Sequence, residues 1–199
     1  MSDLKRSAKK MKATPDTLVA KAISQAVQPA VQEVATRLFY LTTHRPGSKK
    51  HKPSVLNIYE TTFAQAIFEH LLMAPSIAHL EVRHEVPCGR ERADLWIRSV
   101  DGGQAHFIEV GFYTKKKVED DLEKLKRLVP KEIRWVLILF RGAELDSKNP
   151  GDIIAKSLSR ANGLDPKIMS FNTMHSGKFE IHRPGKDPDL FGYALLKGK

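Results

Sequence analysis

A chain of 199 residues with 41% hydrophobic and 28% charged residues is long enough for one domain with a full core, and polar enough to be an ordinary soluble protein. Its longest unbroken apolar run, Trp135 to Phe140, falls far short of a membrane span, and no apolar secretory core stands near the start. The single cysteine, Cys88, excludes an internal disulfide and fits a reducing, cytoplasmic setting.

The net charge of +10 is unevenly spread. Residues 1–52 hold 11 Lys and Arg against three Asp and Glu, a surplus of +8, and the remainder is nearly neutral. A basic arm on a neutral body suits a polyanionic partner, nucleic acid above all, or acts as a solubilising tail. Residues 1–13 are short, polar and lysine-rich, and predict no fixed structure. Thr17 to Leu41 has helical spacing of Leu18, Ile23, Val27, Val31, Val34, Leu38 and Leu41, with Pro29 expected to kink or split it. This stripe either packs on the core or pairs with a second copy. Residues 43–54 read as a loop in which Arg45, Lys49, Lys50 and Lys52 can contact phosphates; His44 and His51 lack a zinc-type partner pattern.

Residues 1–55 are thus read as a basic arm with a helix and loop, and 56–199 as the folded domain. Asn57 to Met73 predicts a helix with Tyr59, Phe63, Ala66, Ile67 and Leu71 inward. At ~100° per residue Glu60 lies about 20° from Leu71, on the flank of that stripe, which makes it a site candidate. Glu69 points away and is ordinary surface. His79 to Val86 alternates as a strand. Arg92 to Tyr113 then predicts a hairpin around Asp101-Gly102, a dipeptide suited to a two-residue type I′ turn. In that register Asp94 lies opposite Glu109, and Arg92 opposite Gly111. Two carboxylates on one face repel each other unless a cation sits between them.

Thr114 is a helix cap before a stripe of Val118, Leu122, Leu125 and Val129, and Pro130 ends that helix. Arg134 to Phe140 is a continuous apolar strand, as expected inside a sheet. Pro150 to Ala161 predicts a further helix. Lys167 to Phe171 and Lys178 to His182 read as two strands joined by a turn near Ser176-Gly177, and the tail from Pro184 has no assigned element. Helices interleaved with strands make an α/β domain.

The helix with Glu60, then RADLWI, HFIEV, a charged helix and RWVLILF, resembles the PD-(D/E)XK nuclease-like (restriction endonuclease-like) superfamily over Asn57 to Arg141. The resemblance implies an αβββαβ core with a mixed central sheet flanked by helices. It also implies that Asp94 and Glu109, with the Val110 carbonyl, hold Mg²⁺ or Mn²⁺, and that Glu60 assists. Hard carboxylate oxygens suit such ions, which polarise a phosphate and acidify bound water. The implied activity is hydrolysis of DNA phosphodiester bonds.

The tripeptide here is Glu109-Val110-Gly111, without the family's lysine, and Ala93 stands where the family has proline. Two residues could supply the missing charge: Arg92 across from Gly111, or Lys115 leaning back from the following helix. Lys116 and Lys117 read as surface or phosphate contacts. If neither repair operates, the protein is a catalytically inactive nucleic-acid-binding or complex-assembly module. A homodimer or larger complex is compatible with either reading.

Overall fold

The computed structural model describes residues 14–43, 60–74, 78–141, 171–182 and 189–198. Its elements in chain order are α1 (Pro15–Thr43), α2 (Glu60–Met73), β1 (Leu80–Cys88), β2 (Glu91–Ser99), β3 (His106–Phe112), α3 (Lys115–Leu128), β4 (Ile133–Arg141), β5 (Phe171–Ile181) and β6 (Asp189–Gly198). The strands form one six-stranded mixed sheet in the order β1-β2-β3-β4-β6-β5. Among the described strands only β3 and β4 pair in parallel, and α3 is the crossover that such a pair requires.

The apolar run of β4 explains the layering. Every residue from Trp135 to Phe140 is buried, because both faces of the strand are covered. Trp135, Leu137 and Leu139 face a core built with α1 and α2, whereas Val136, Ile138 and Phe140 face a smaller core built with Leu125 of α3 and Val129, the residue that caps its C-terminus. Thr114 caps α3 as its sequence predicts, its hydroxyl accepting the Lys117 N–H at 3.0 Å. The side chains of Val118 and Leu122 lie outside the described residues.

Helix α1 spends its apolar stripe inside the chain. Ile23, Val27, Val31 and Val34 belong to the larger core, beside Phe63, Ile67 and Leu71 of α2. Polar clasps hold it there: Gln32 bonds the His182 carbonyl at 3.0 Å and accepts the His182 N–H at 3.2 Å, and Glu33 meets His70 at 2.8 Å. Of the two outcomes expected at Pro29, a kink or a split, the split does not occur. Pro29 sits on the exposed face of one continuous helix, and burial of Ala26, Val27, Ala30 and Val31 around it outweighs the ~3 kcal/mol cost of an interior proline.

A second correction concerns the C-terminal strands. Ser176-Gly177 is not a turn but the middle of one long strand, β5, paired along its length with β6 from the unassigned tail. Gly177 lies opposite Tyr193, and a Cβ there would come within 2.9 Å of the tyrosine ring. The glycine makes room for the ring rather than reversing the chain. The expected helix at 150–161 and the segment 167–170 lie outside the described residues.

Candidate active site

The β2–β3 hairpin has the register expected from its sequence, with Leu95 opposite Ile108, Trp96 opposite Phe107 and Ile97 opposite His106. Its turn differs. Residues 100–105 connect the strands, the Ser99 carbonyl accepts the Gly102 N–H at 3.0 Å, and positive φ falls at Gly102 and Gly103 rather than at Asp101 and Gly102. The longer link lets two consecutive glycines take the left-handed conformations, so the aspartate is spared one.

The ladder stops one residue short of Asp94. On the other side of β2, Glu85 has φ of 50° and drops out of the β1–β2 pairing at the position opposite Asp94. Strand β2 is therefore released from both neighbours at Asp94, with the β1–β2 register unchanged on either side. The freed carboxylate turns into the gap, where Oδ2 accepts the Val110 N–H at 2.7 Å. A side chain thus replaces a backbone ladder bond, and Asp94 is pinned beside the strand that carries Glu109.

Glu109 is almost fully buried against α3. Lys124 Nζ lies 2.9 Å from each of its oxygens, but only at Oε2 is the geometry that of a hydrogen bond; Oε1 is buried without one. Burial first, and the charge of Asp94 second, push its carboxyl up to about 7 against the pull of Lys124. Burial also raises Asp94, opposed by the Val110 N–H and by Lys124 and Lys117.

A lysine of α3 covers Gly111. The stem of Lys117 crosses over Gly111 so closely that a Cβ at 111 would lie 2.6 Å from Lys117 Cε and 3.3 Å from Glu60 Oε1. Its ammonium is 3.1 Å from Glu60 Oε2 and 3.1 Å from Asp121 Oδ1. Glu60, in the first turn of α2, is fixed in turn by accepting the Phe112 N–H at 3.2 Å. Burial alone would lower the Lys117 ammonium, but Asp121 and Glu60 outweigh it and raise it, so it stays protonated. Burial raises Asp121 to about 6 despite the lysine beside it.

The other sequence candidates lie elsewhere. Arg92 is exposed and pairs with Glu85 at 2.9 Å, so it does not reach over Gly111. Lys115 opens α3, but its side chain lies outside the described residues, as do Arg45, Lys49, Lys50 and Lys52. Lys116 is exposed. Trp96 is half-buried, with the Arg83 guanidinium 4.8 Å above its ring. Lys117, read from the sequence as a surface or phosphate contact, is paired with Glu60 and Asp121 and keeps 29% of its side chain exposed, and Asp121 and Lys124 drew no reading from the sequence. The signal was present: Lys117, Asp121 and Lys124 stand one residue before Val118, Leu122 and Leu125 in turn, forming a charged row on the flank of the apolar stripe.

The site joins four carboxylates, Glu60, Asp94, Glu109 and Asp121, to two ammonium groups, Lys117 and Lys124. Fully ionised, that set carries a formal charge of about −2, which one divalent cation would balance. The orphaned Glu109 Oε1 and the repulsion between Glu109 and Asp94 fit such an ion. Among the described residues, however, no group of three or more His, Cys, Asp and Glu side chains forms a metal cage. Comparisons with protein-family models, curated proteins and solved structures return no match to this chain.

Proposed function

We propose that this protein is a metal-dependent nuclease of the PD-(D/E)XK type that hydrolyses phosphodiester bonds of DNA. One observation carries the reading: Asp94 and Glu109 meet where the β2–β3 ladder opens, and Lys117 lies over Gly111, the position where the family's lysine is absent. The order α2, β1, β2, β3, α3, β4 in a mixed sheet agrees with the restriction-endonuclease-like core.

Asp94, Glu109 and the Val110 carbonyl would hold Mg²⁺ or Mn²⁺. When bound, such an ion acidifies water and polarises the scissile phosphate. The chain's own groups then divide the remaining work. Glu109 must give up its proton before it can hold a cation, and its raised pKa sets the pH at which it does so. Lys117, kept protonated by two carboxylates, cannot serve as a general base; it offers a fixed positive charge to the oxygens of a pentacovalent phosphorus. Glu60 aims that charge toward β3. The surplus of lysine and arginine in residues 1–52 supplies phosphate contacts that weaken with salt.

The alternative is a fold that binds nucleic acid or assembles complexes without cutting. One contact favours it: Lys124 already neutralises Glu109 as a purely structural pair would. Incubating supercoiled and linear DNA with the protein and Mg²⁺ or Mn²⁺ separates the two. The nuclease reading expects cutting that EDTA, Asp94→Asn and Glu109→Gln each abolish; salt-sensitive DNA binding without cutting supports the alternative.

A further inference from the structure

We infer that Asp121 is a positioning residue for the cleavage reaction, holding the Lys117 ammonium above Gly111 beside Asp94 and Glu109. The inference rests on the nuclease reading above. A lysine reaching from a helix to a neighbouring strand has four rotatable carbons, and its charge is useful only if it stays in one place. Two carboxylates fix it from different directions. Glu60 is tied to β3 through the Phe112 N–H and draws the ammonium toward the sheet; Asp121, one turn along α3, draws it back toward the helix.

The two anchors are not equivalent. The Glu60 side chain is 39% exposed, and water screens its attraction, whereas the Asp121 side chain is only 5% exposed. Asp121 is also costly to bury. The residue is buried and its Oδ2 has no hydrogen-bond partner. An apolar side chain there would serve folding better, because a buried ion pair seldom stabilises more than well-packed hydrocarbon. The cost makes sense for a group whose task is to aim a charge. Asp121 and Glu60 are the charged groups paired with Lys117, and its charge is also felt by Asp94.

The test compares wild type, Asp121→Asn and Asp121→Glu in three measurements: steady-state cleavage of a DNA duplex with Mn²⁺, thermal unfolding, and acetylation of Lys117 by an amine-reactive ester, read by mass spectrometry. For Asp121→Asn we expect kcat to fall roughly 10- to 100-fold with KM held within about twofold. We also expect unchanged or improved stability, and Lys117 acetylated about tenfold faster for each unit by which its pKa drops. Asp121→Glu should recover part of kcat. Wild-type turnover in Asp121→Asn, a loss confined to KM, or unchanged Lys117 acetylation would each overturn the inference. If the wild type does not cut, the nuclease reading and the catalytic role fail together. The clamp itself is then judged by acetylation: faster labelling in Asp121→Asn upholds it, and equal labelling refutes it.

Discussion

Lys117 occupies the space that a side chain at Gly111 would need, with its Cε 2.6 Å from the point where a Cβ would stand. The glycine and the lysine therefore act as one unit: removing a side chain from the strand admits another from the helix. In Gly111→Ala the methyl group meets the far end of a flexible chain, which can swing aside. Stability should change by less than about 1 kcal/mol, while cleavage should fall roughly tenfold or more as the ammonium shifts. Gly111→Lys combined with Lys117→Ala should return part of the lost rate. Melting temperatures and single-turnover cleavage of the variants check both statements.

The acidity of the site should be visible in the stability of the metal-free protein. Glu109 and Asp121 are raised by burial to about 7 and about 6 from ordinary values of 4.5 and 3.8. The folded form therefore holds protons that the unfolded chain has already released. Stability is highest below pH ~4 as far as these two groups are concerned, and falls as pH rises to ~7, by on the order of a few kcal/mol in all. Urea unfolding in EDTA between pH 4 and pH 8 should show that decline, and Glu109→Gln should flatten it.

Lys124 should matter most where Glu109 is ionised. Lys124→Met leaves a buried carboxylate whose nearest ammonium is gone. The lysine is 26% exposed, so the penalty is discounted for solvent screening to about 2–3 kcal/mol at pH 8. At pH 5, where Glu109 is protonated, the variant should approach wild type. Denaturant curves at the two pH values give the difference directly.

Far from the site, the Trp135 indole donates to Nδ1 of the buried His106 at 2.9 Å, which places the histidine proton on Nε2. Burial lowers the imidazole pKa and keeps it neutral. Trp135→Phe removes the donor and leaves Nδ1 unpaired, at a cost of roughly 1–3 kcal/mol beyond lost packing. Urea midpoints for Trp135→Phe alone and with His106→Leu test this, because the double variant has no orphaned acceptor and should recover stability.

The parts of the fold governed by local pattern were legible in the sequence. Alternation fixed the faces of β1 and of β2 from Leu95 onward, whereas Ala93, beyond the break at Asp94, lies in the core on the other side of the sheet; the unbroken apolar run marked β4 as interior, and Thr114 announced α3. The hairpin register also follows from its residues, although the turn that sets it is longer than Asp101-Gly102 suggested. What was hidden depends on contacts between distant segments. Pro29 reads as a break until tertiary burial around it is known, and Gly177 reads as a turn until Tyr193 lies across from it.

The same distinction holds in the site. Asp94 and Glu109 share a hairpin, so their proximity is nearly local and could be derived. Lys117 reaches Gly111 only because the β3–α3–β4 crossover folds the helix back over its own strand. Arg92 had the right register on paper, but the break at Glu85 brought it a surface partner instead.

The proposed activity requires Asp94 and Glu109 to hold a divalent cation, and calorimetric titration of the protein with Mn²⁺ at pH 8 measures that directly. It predicts one ion per chain, with binding lost in Asp94→Asn and Glu109→Gln although both variants stay folded. Binding should also weaken as pH drops below about 7, as Glu109 takes up its proton. No binding by the wild type, or equal binding by the two variants, would contradict it.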